Sequence, residues 1–150
     1  MPWIVVFIYS WLIFLLFVDR RRIRQTVWGG LAAAVTGTLV DWAGHQLHFY
    51  HFFFFNGVTD EFIVTILHAT GPMFTMGTLF FQLLSLDRRL QAANVAVFSL
   101  SYLAVEVLIV ASGGARYGNW HYLASLAVNL MVFSSFSYLG EVIVFRKFRI

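Results

Sequence analysis

PWIVVFIYSWLIFLLFV, residues 2–18, is followed at once by DRRRIR, residues 19–24. An apolar run of this length, free of charge and closed by arginines, reads as a membrane helix with its basic end in the cytoplasm. No basic stretch precedes the run and no small-residue cleavage pattern follows it, so it is expected to stay in place as a helix.

The rest of the chain repeats the alternation. Arginine and lysine cluster at 20–24, 88–89 and 146–149, and apolar stretches fill the intervals. About 20 apolar residues cross a hydrocarbon core of roughly 30 Å as a helix, which places five spans near 2–18, 26–50, 61–86, 91–112 and 121–145. One orientation satisfies all three clusters, with the N-terminus outside, the C-terminus cytoplasmic and only Arg116 against the positive-inside rule. The expected fold is therefore an all-α polytopic transmembrane bundle of about five spans, in one domain covering 1–150. The least tidy part is His45–Phe55, which can instead lie along the interface.

Composition agrees. The 150 residues are 60% hydrophobic and 11% charged, and the net charge is +3, against about 25% charged residues in soluble domains. The lipid bilayer is the implied partner. The basic residues sit in short clusters beside apolar spans, so nucleic acid is not expected as a partner. Cysteine is absent, which removes disulfides, thiolate metal sites and cysteine nucleophiles. Aromatic residues crowd the expected outer interface at Phe49–Phe52 and Tyr117–Tyr122, and Phe52–Phe55 reads as a lipid-interface anchor in preference to an aromatic cage.

Gly30, Ala34, Gly37, Asp41, Gly44 and His48 recur at steps of four, three, four, three and four. This puts small residues along one face of the second span, where Gly30, Ala34, Gly37 and Gly44 allow close helix packing. His68, Pro72, Thr75 and Gln82 share an arc of roughly 80° on the third span, expected to face inward.

Ionisable groups inside a membrane cost about 2.5–3.5 kcal/mol each and turn toward the bundle interior. Asp41, His45, His48, His68 and Glu106 meet that description, and His121 begins the last span. At 1.5 Å per residue His68 lies roughly 10 Å, Glu106 roughly 9 Å and Asp41 about 13 Å below the outer ends of their spans. Asp41, His45 and His48 have the spacing i, i+4, i+7 of ligands on one helix face. Histidine and carboxylate together suit a divalent metal such as zinc, iron or manganese, with His68, Glu106 or His121 completing the set. A proton is the other candidate ligand. The plainer reading is interhelical hydrogen bonding, with Glu106 joined to a histidine or Tyr102. Glu141 lies near Arg146 and Lys147 and is expected to pair at the cytoplasmic interface; Asp60 and Glu61 suit a helix N-terminus. No HExxH pattern or nucleophile elbow is present.

Glu106 followed by Arg116-Tyr117-Gly118-Asn119-Trp120 resembles an uncharacterised family of small multi-pass membrane proteins of spore-forming Gram-positive bacteria, over roughly residues 60–145. The resemblance implies a bacterial cytoplasmic membrane and a five-helix bundle, and singles out Glu106, Tyr117, Asn119 and Trp120. It implies no activity, and the His45, His48, His51 segment departs from the family pattern. The functions left open are binding of a divalent metal or a proton, including hydrolysis by metal-bound water, an accessory or assembly subunit acting through helix contacts with another membrane protein or its own copy, and a small oligomeric transporter.

Overall fold

The computed structural model describes residues 2–54 and 61–146, without the side chains of the last two. Phe55, Asp60, Lys147 and Arg149, on which some of the expectations above fall, lie outside the described residues. The chain is predominantly helical. α1 is Pro2–Phe17 and α2 is Ile23–Gln46; α3 (Glu61–His68) runs through a π-helical turn (Ala69–Met73) into α4 (Phe74–Gln82). α5 is Arg88–Ala111, and α6 (Tyr122–Gly140) ends in a second π-helical turn, Glu141–Arg146.

Three of these rods, Glu61–Gln82, Arg88–Ala111 and Tyr122–Val144, are long and apolar enough to cross a membrane. α1 is apolar but has only 16 residues. α2 has 24 residues, roughly 36 Å at the helical rise, and its composition is split by face. Trp28, Leu31, Val35, Leu39 and Trp42 form an exposed apolar stripe, while Thr26, Gly29, Gly30, Ala33, Asp41 and Gly44 are buried. α2 thus turns its large apolar residues outward and its small and polar residues inward.

The buried stripe of α2 packs on α4. A methyl group on Gly29 would collide with the Gly77 carbonyl and the Phe81 ring, and one on Gly77 with the Gly29 backbone and Ala33. At Gly30 it would meet Thr78 and Phe74, at Gly37 the Met73 thioether, and at Gly44 the Tyr50 ring. The stripe read from sequence is thus the α2 packing face, rotated slightly: Ala33 is buried and Ala34 half-buried, and the opposing Gly77 carried no periodic signal.

Pro72 lies inside the π-helical turn between α3 and α4. The wider turn accommodates a residue without an amide hydrogen and keeps His68, Pro72 and Thr75 buried on the inner face, with Gln82 half-buried. Gln82 closes one end of the bundle: its Oε1 accepts from Asp19 N at 2.8 Å, and its Nε2 donates to Phe17 O at 3.0 Å. At the same end Arg88 and Gln91 both donate to Glu141. Glu141 therefore pairs with the start of α5, which tertiary packing brings beside it, while the side chains of Arg146 and Lys147, its expected partners, lie outside the described residues.

The opposite end adds a short two-stranded ribbon to the helical fold. α2 stops four residues before position 50. His48 adopts φ 54°, its amide donates to His45 O, and the Phe49 amide donates to Gly44 O. That is the reciprocal closure in which a left-handed residue satisfies the last carbonyls of a helix. α5 ends in the same way, with Gly113 at φ 78° and the Gly113 and Gly114 amides donating to Val110 O and Ile109 O. Each closure turns the chain into a three-residue strand, β1 (Tyr50–Phe52) and β2 (Ala115–Tyr117), and the two pair antiparallel with Tyr50 opposite Tyr117 and Phe52 opposite Ala115.

The ribbon caps a cluster of Trp3, Tyr50, Phe52, Val64, Ile109 and Ala115. Phe52 is 5% exposed and meets Trp3 edge-on at 4.8 Å. The expected lipid anchor is therefore an interior ring, because pairing β1 with β2 alternates its side chains and turns Tyr50 and Phe52 inward. Phe49 is half-buried and stacks on Trp120 at 4.7 Å.

Candidate functional site: a chamber with two carboxylates

Beneath the ribbon lies a chamber of about 120 Å³. Two hydrogen-bonded groups line it. In the first, His68 Nδ1 is 2.8 Å from Asp41 Oδ2 and its Nε2 is 2.5 Å from the Tyr102 hydroxyl. A carboxylate only accepts, so Nδ1 carries the ring proton and Nε2 accepts from Tyr102. Asp41 Oδ1 also accepts from the Tyr50 hydroxyl at 3.2 Å. Asp41 and His68 are 4% and 7% exposed, a depth at which polar groups without partners are costly.

In the second group the Tyr117 hydroxyl donates to Glu106 Oε1, and Ser125 Oγ donates to the same oxygen at 2.6 Å. Trp120 Nε1 donates to Ser125 Oγ at 2.6 Å. Among the described residues no hydrogen bond falls on Glu106 Oε2. Asn129, one helical turn below Ser125 on α6, lines the chamber with an Nδ2 that has no partner among the described residues. Expectation and structure differ on Glu106: its partners come from β2 and α6, while Tyr102 is taken by His68.

Outside the spans, the Tyr50 phenol is pushed well above its ordinary range by burial, with Asp41 adding to the effect. Tyr117 is raised by burial and by the hydrogen bond to Glu106. Both phenols stay neutral and act as donors.

The other candidate ligands are elsewhere. His45 Nδ1 is 2.9 Å from Glu61 Oε2, its ring packed edge-on against Phe52 at 4.7 Å. His48, at the left-handed closure, has left the helix face and is exposed; the i, i+7 relation to Asp41 ends with the helix. His121 is exposed and caps α6, its Nδ1 accepting from the Ala124 amide at 3.1 Å. Among the described residues no group of three His, Asp or Glu side chains is placed to hold a metal ion. Of the six candidates, Asp41, His68 and Glu106 line the chamber, and His45, His48 and His121 do not.

Sequence reasoning missed Ser125 and Asn129. Their spacing of four on one face of α6 is the signal that was available, since both are polar and buried in an apolar helix. The chain matches no known family model, no curated protein and no solved structure.

Proposed function

We propose that this is a five-span protein of a bacterial cytoplasmic membrane, N-terminus outside and C-terminus inside, that binds a small cation in the chamber of its outer half. The observation that carries the reading is the charge of the lining. Asp41 and Glu106 both line the chamber, and among the described lining residues there is no lysine or arginine. Each embedded carboxylate costs about 2.5–3.5 kcal/mol, and a cation held between them offsets that cost. The walls suit it: the aromatic residues Trp3, Tyr50, Phe52, Tyr102, Tyr117 and Trp120 line the space, and cation–π attraction at a desolvated site is worth about 2 kcal/mol. This chemistry fits a proton on the Asp41–His68–Tyr102 chain or a small organic ammonium ion beside Glu106.

The orientation is supported by the ends of the bundle. Asp19 and Arg22 meet Gln82, and Arg88 meets Glu141, so two basic clusters share one end and the ribbon occupies the other. Reporter fusions after residues 24 and 89 test cytoplasmic placement, and one at 116 tests external placement.

The binding experiment uses tetramethylammonium and the neutral isostere tert-butanol on detergent-solubilised protein, read by tryptophan emission, since Trp3 and Trp120 line the chamber. Saturable change is expected with the cation alone, weakened about tenfold or more by Glu106→Gln. An equal response to the neutral isostere, or an unchanged response in the variant, overturns the reading.

A further inference from the structure

A second cavity, of about 610 Å³, lies between α1 and α5 against Pro72. Its lining is apolar apart from Tyr9 and three hydroxyl residues, Ser10, Thr75 and Ser112. Those three hydroxyls already donate within the protein, to Val6 O, Ser10 O and Ile109 O respectively. No charged residue lines it among the described residues. Val5, Ile13 and Leu108, 52%, 40% and 67% exposed, form its outer lip, so the groove opens to the lipid around the bundle.

Met76, Val105 and Ile109 line both this groove and the carboxylate chamber. One wall of side chains therefore separates an apolar slot from an acidic, ring-lined pocket. The wall includes an unbranched methionine, the side chain best able to change shape without strain. The sizes divide the task. Sites for whole organic ligands occupy about 300–1,000 Å³; the groove falls in that range, and the chamber has room only for a head group.

We infer that the ligand is a single-chain amphiphile with an ammonium head, its alkyl tail lying in the α1/α5 groove and its head in the chamber beside Glu106. Charge decides the head, because two carboxylates and, among the described residues, no lysine or arginine line its side of the wall. A phosphate or carboxylate head would meet repulsion there. The groove decides the tail and the route, since an alkyl chain passes from bilayer to slot without leaving an apolar medium. The inference rests on the cation-binding reading above and adds the class of ligand and lateral entry.

The probes are decyltrimethylammonium and tetramethylammonium, titrated into protein in lipid nanodiscs and read by tryptophan emission. Partition into lipid raises the local concentration of the long-chain probe for every variant, so the comparison is between proteins. Val5→Phe and Leu108→Phe fill the groove from its exposed lip, where an added ring costs little in packing. Expected is a loss of about tenfold or more in apparent affinity for decyltrimethylammonium in the groove variants, with tetramethylammonium unchanged. The retained short-probe response also reports an intact chamber. Glu106→Gln weakens both probes. Equal long-chain binding by wild type and both groove variants overturns lateral entry while leaving the cation site standing. Indifference of both probes to Glu106→Gln overturns the cation reading itself, and this inference with it.

Discussion

His68 Nδ1 stands 2.8 Å from Asp41 Oδ2, joining α2 to α3 at a depth where both residues are buried. The two residues are 27 positions apart, and the bond fixes the His68 tautomer that accepts from Tyr102. It is one of two polar contacts between α2 and α3 among the described residues, the other being His45 Nδ1 to Glu61 Oε2 at 2.9 Å.

Because these partners are buried, removing one strands the other. Asp41→Ala or His68→Ala is expected to destabilise the detergent-solubilised protein by about 1–3 kcal/mol, the cost of a buried polar group without its bond. The double variant should lose less than the two singles combined, since the second substitution removes the stranded group. Additive losses in a double-mutant cycle of unfolding free energies would show that the pair contributes no coupling.

Glycines on the α2 face differ in what opposes them. At Gly77 an added methyl meets the Gly29 backbone, which cannot withdraw without separating the helices; at Gly37 it meets the flexible end of Met73. Gly77→Ala should therefore lower the melting temperature more than Gly37→Ala. The reverse order would mean that α2 and α4 are not held at glycine distance.

His48 occupies a left-handed position that glycine fills without strain. His48→Gly is expected to keep or raise stability, by up to about 1 kcal/mol, and to leave tetramethylammonium binding unchanged. A loss of binding in this variant would return His48 to the site.

The Tyr117 phenol is raised by burial and by Glu106. A raised acid is favoured in its protonated form by the fold, so its stabilisation is complete below the unfolded pKa of about 10 and is lost as pH rises through the higher folded value. In an absorbance titration, Tyr117→Phe should leave tyrosinate formation near pH 10 intact and remove a step above it. Loss of the ordinary step would place Tyr117 in water.

Much of the fold was legible because lipid is a strict solvent. Apolar length marks the rods, and the steps of three and four from Gly30 to Gly44 mark the packed face of α2. The burial of His68, Pro72 and Thr75 follows from a shared arc. His48 was misplaced because a helical period was carried past Gln46, where the chain closes and becomes a strand, whereas His45 stays in α2 but turns to Glu61 and His121 caps α6. Three-residue strands are too short for alternation to register against the surrounding aromatic run, so Phe52 read as an anchor and the β1–β2 ribbon was invisible.

The sequence by itself determined that the chain is a helical membrane protein, that α2 presents small residues inward, and that Asp41, His68 and Glu106 are embedded polar groups. These follow from composition and from the period of a single helix. Only the tertiary structure decided the partners: Asp41 with His68, Glu106 with Tyr117 and Ser125, Glu141 with Arg88. A helix's own period says which face is buried but not which neighbour it meets, and those pairs are set by contacts between residues distant in the chain. The chamber and the groove exist only in that arrangement.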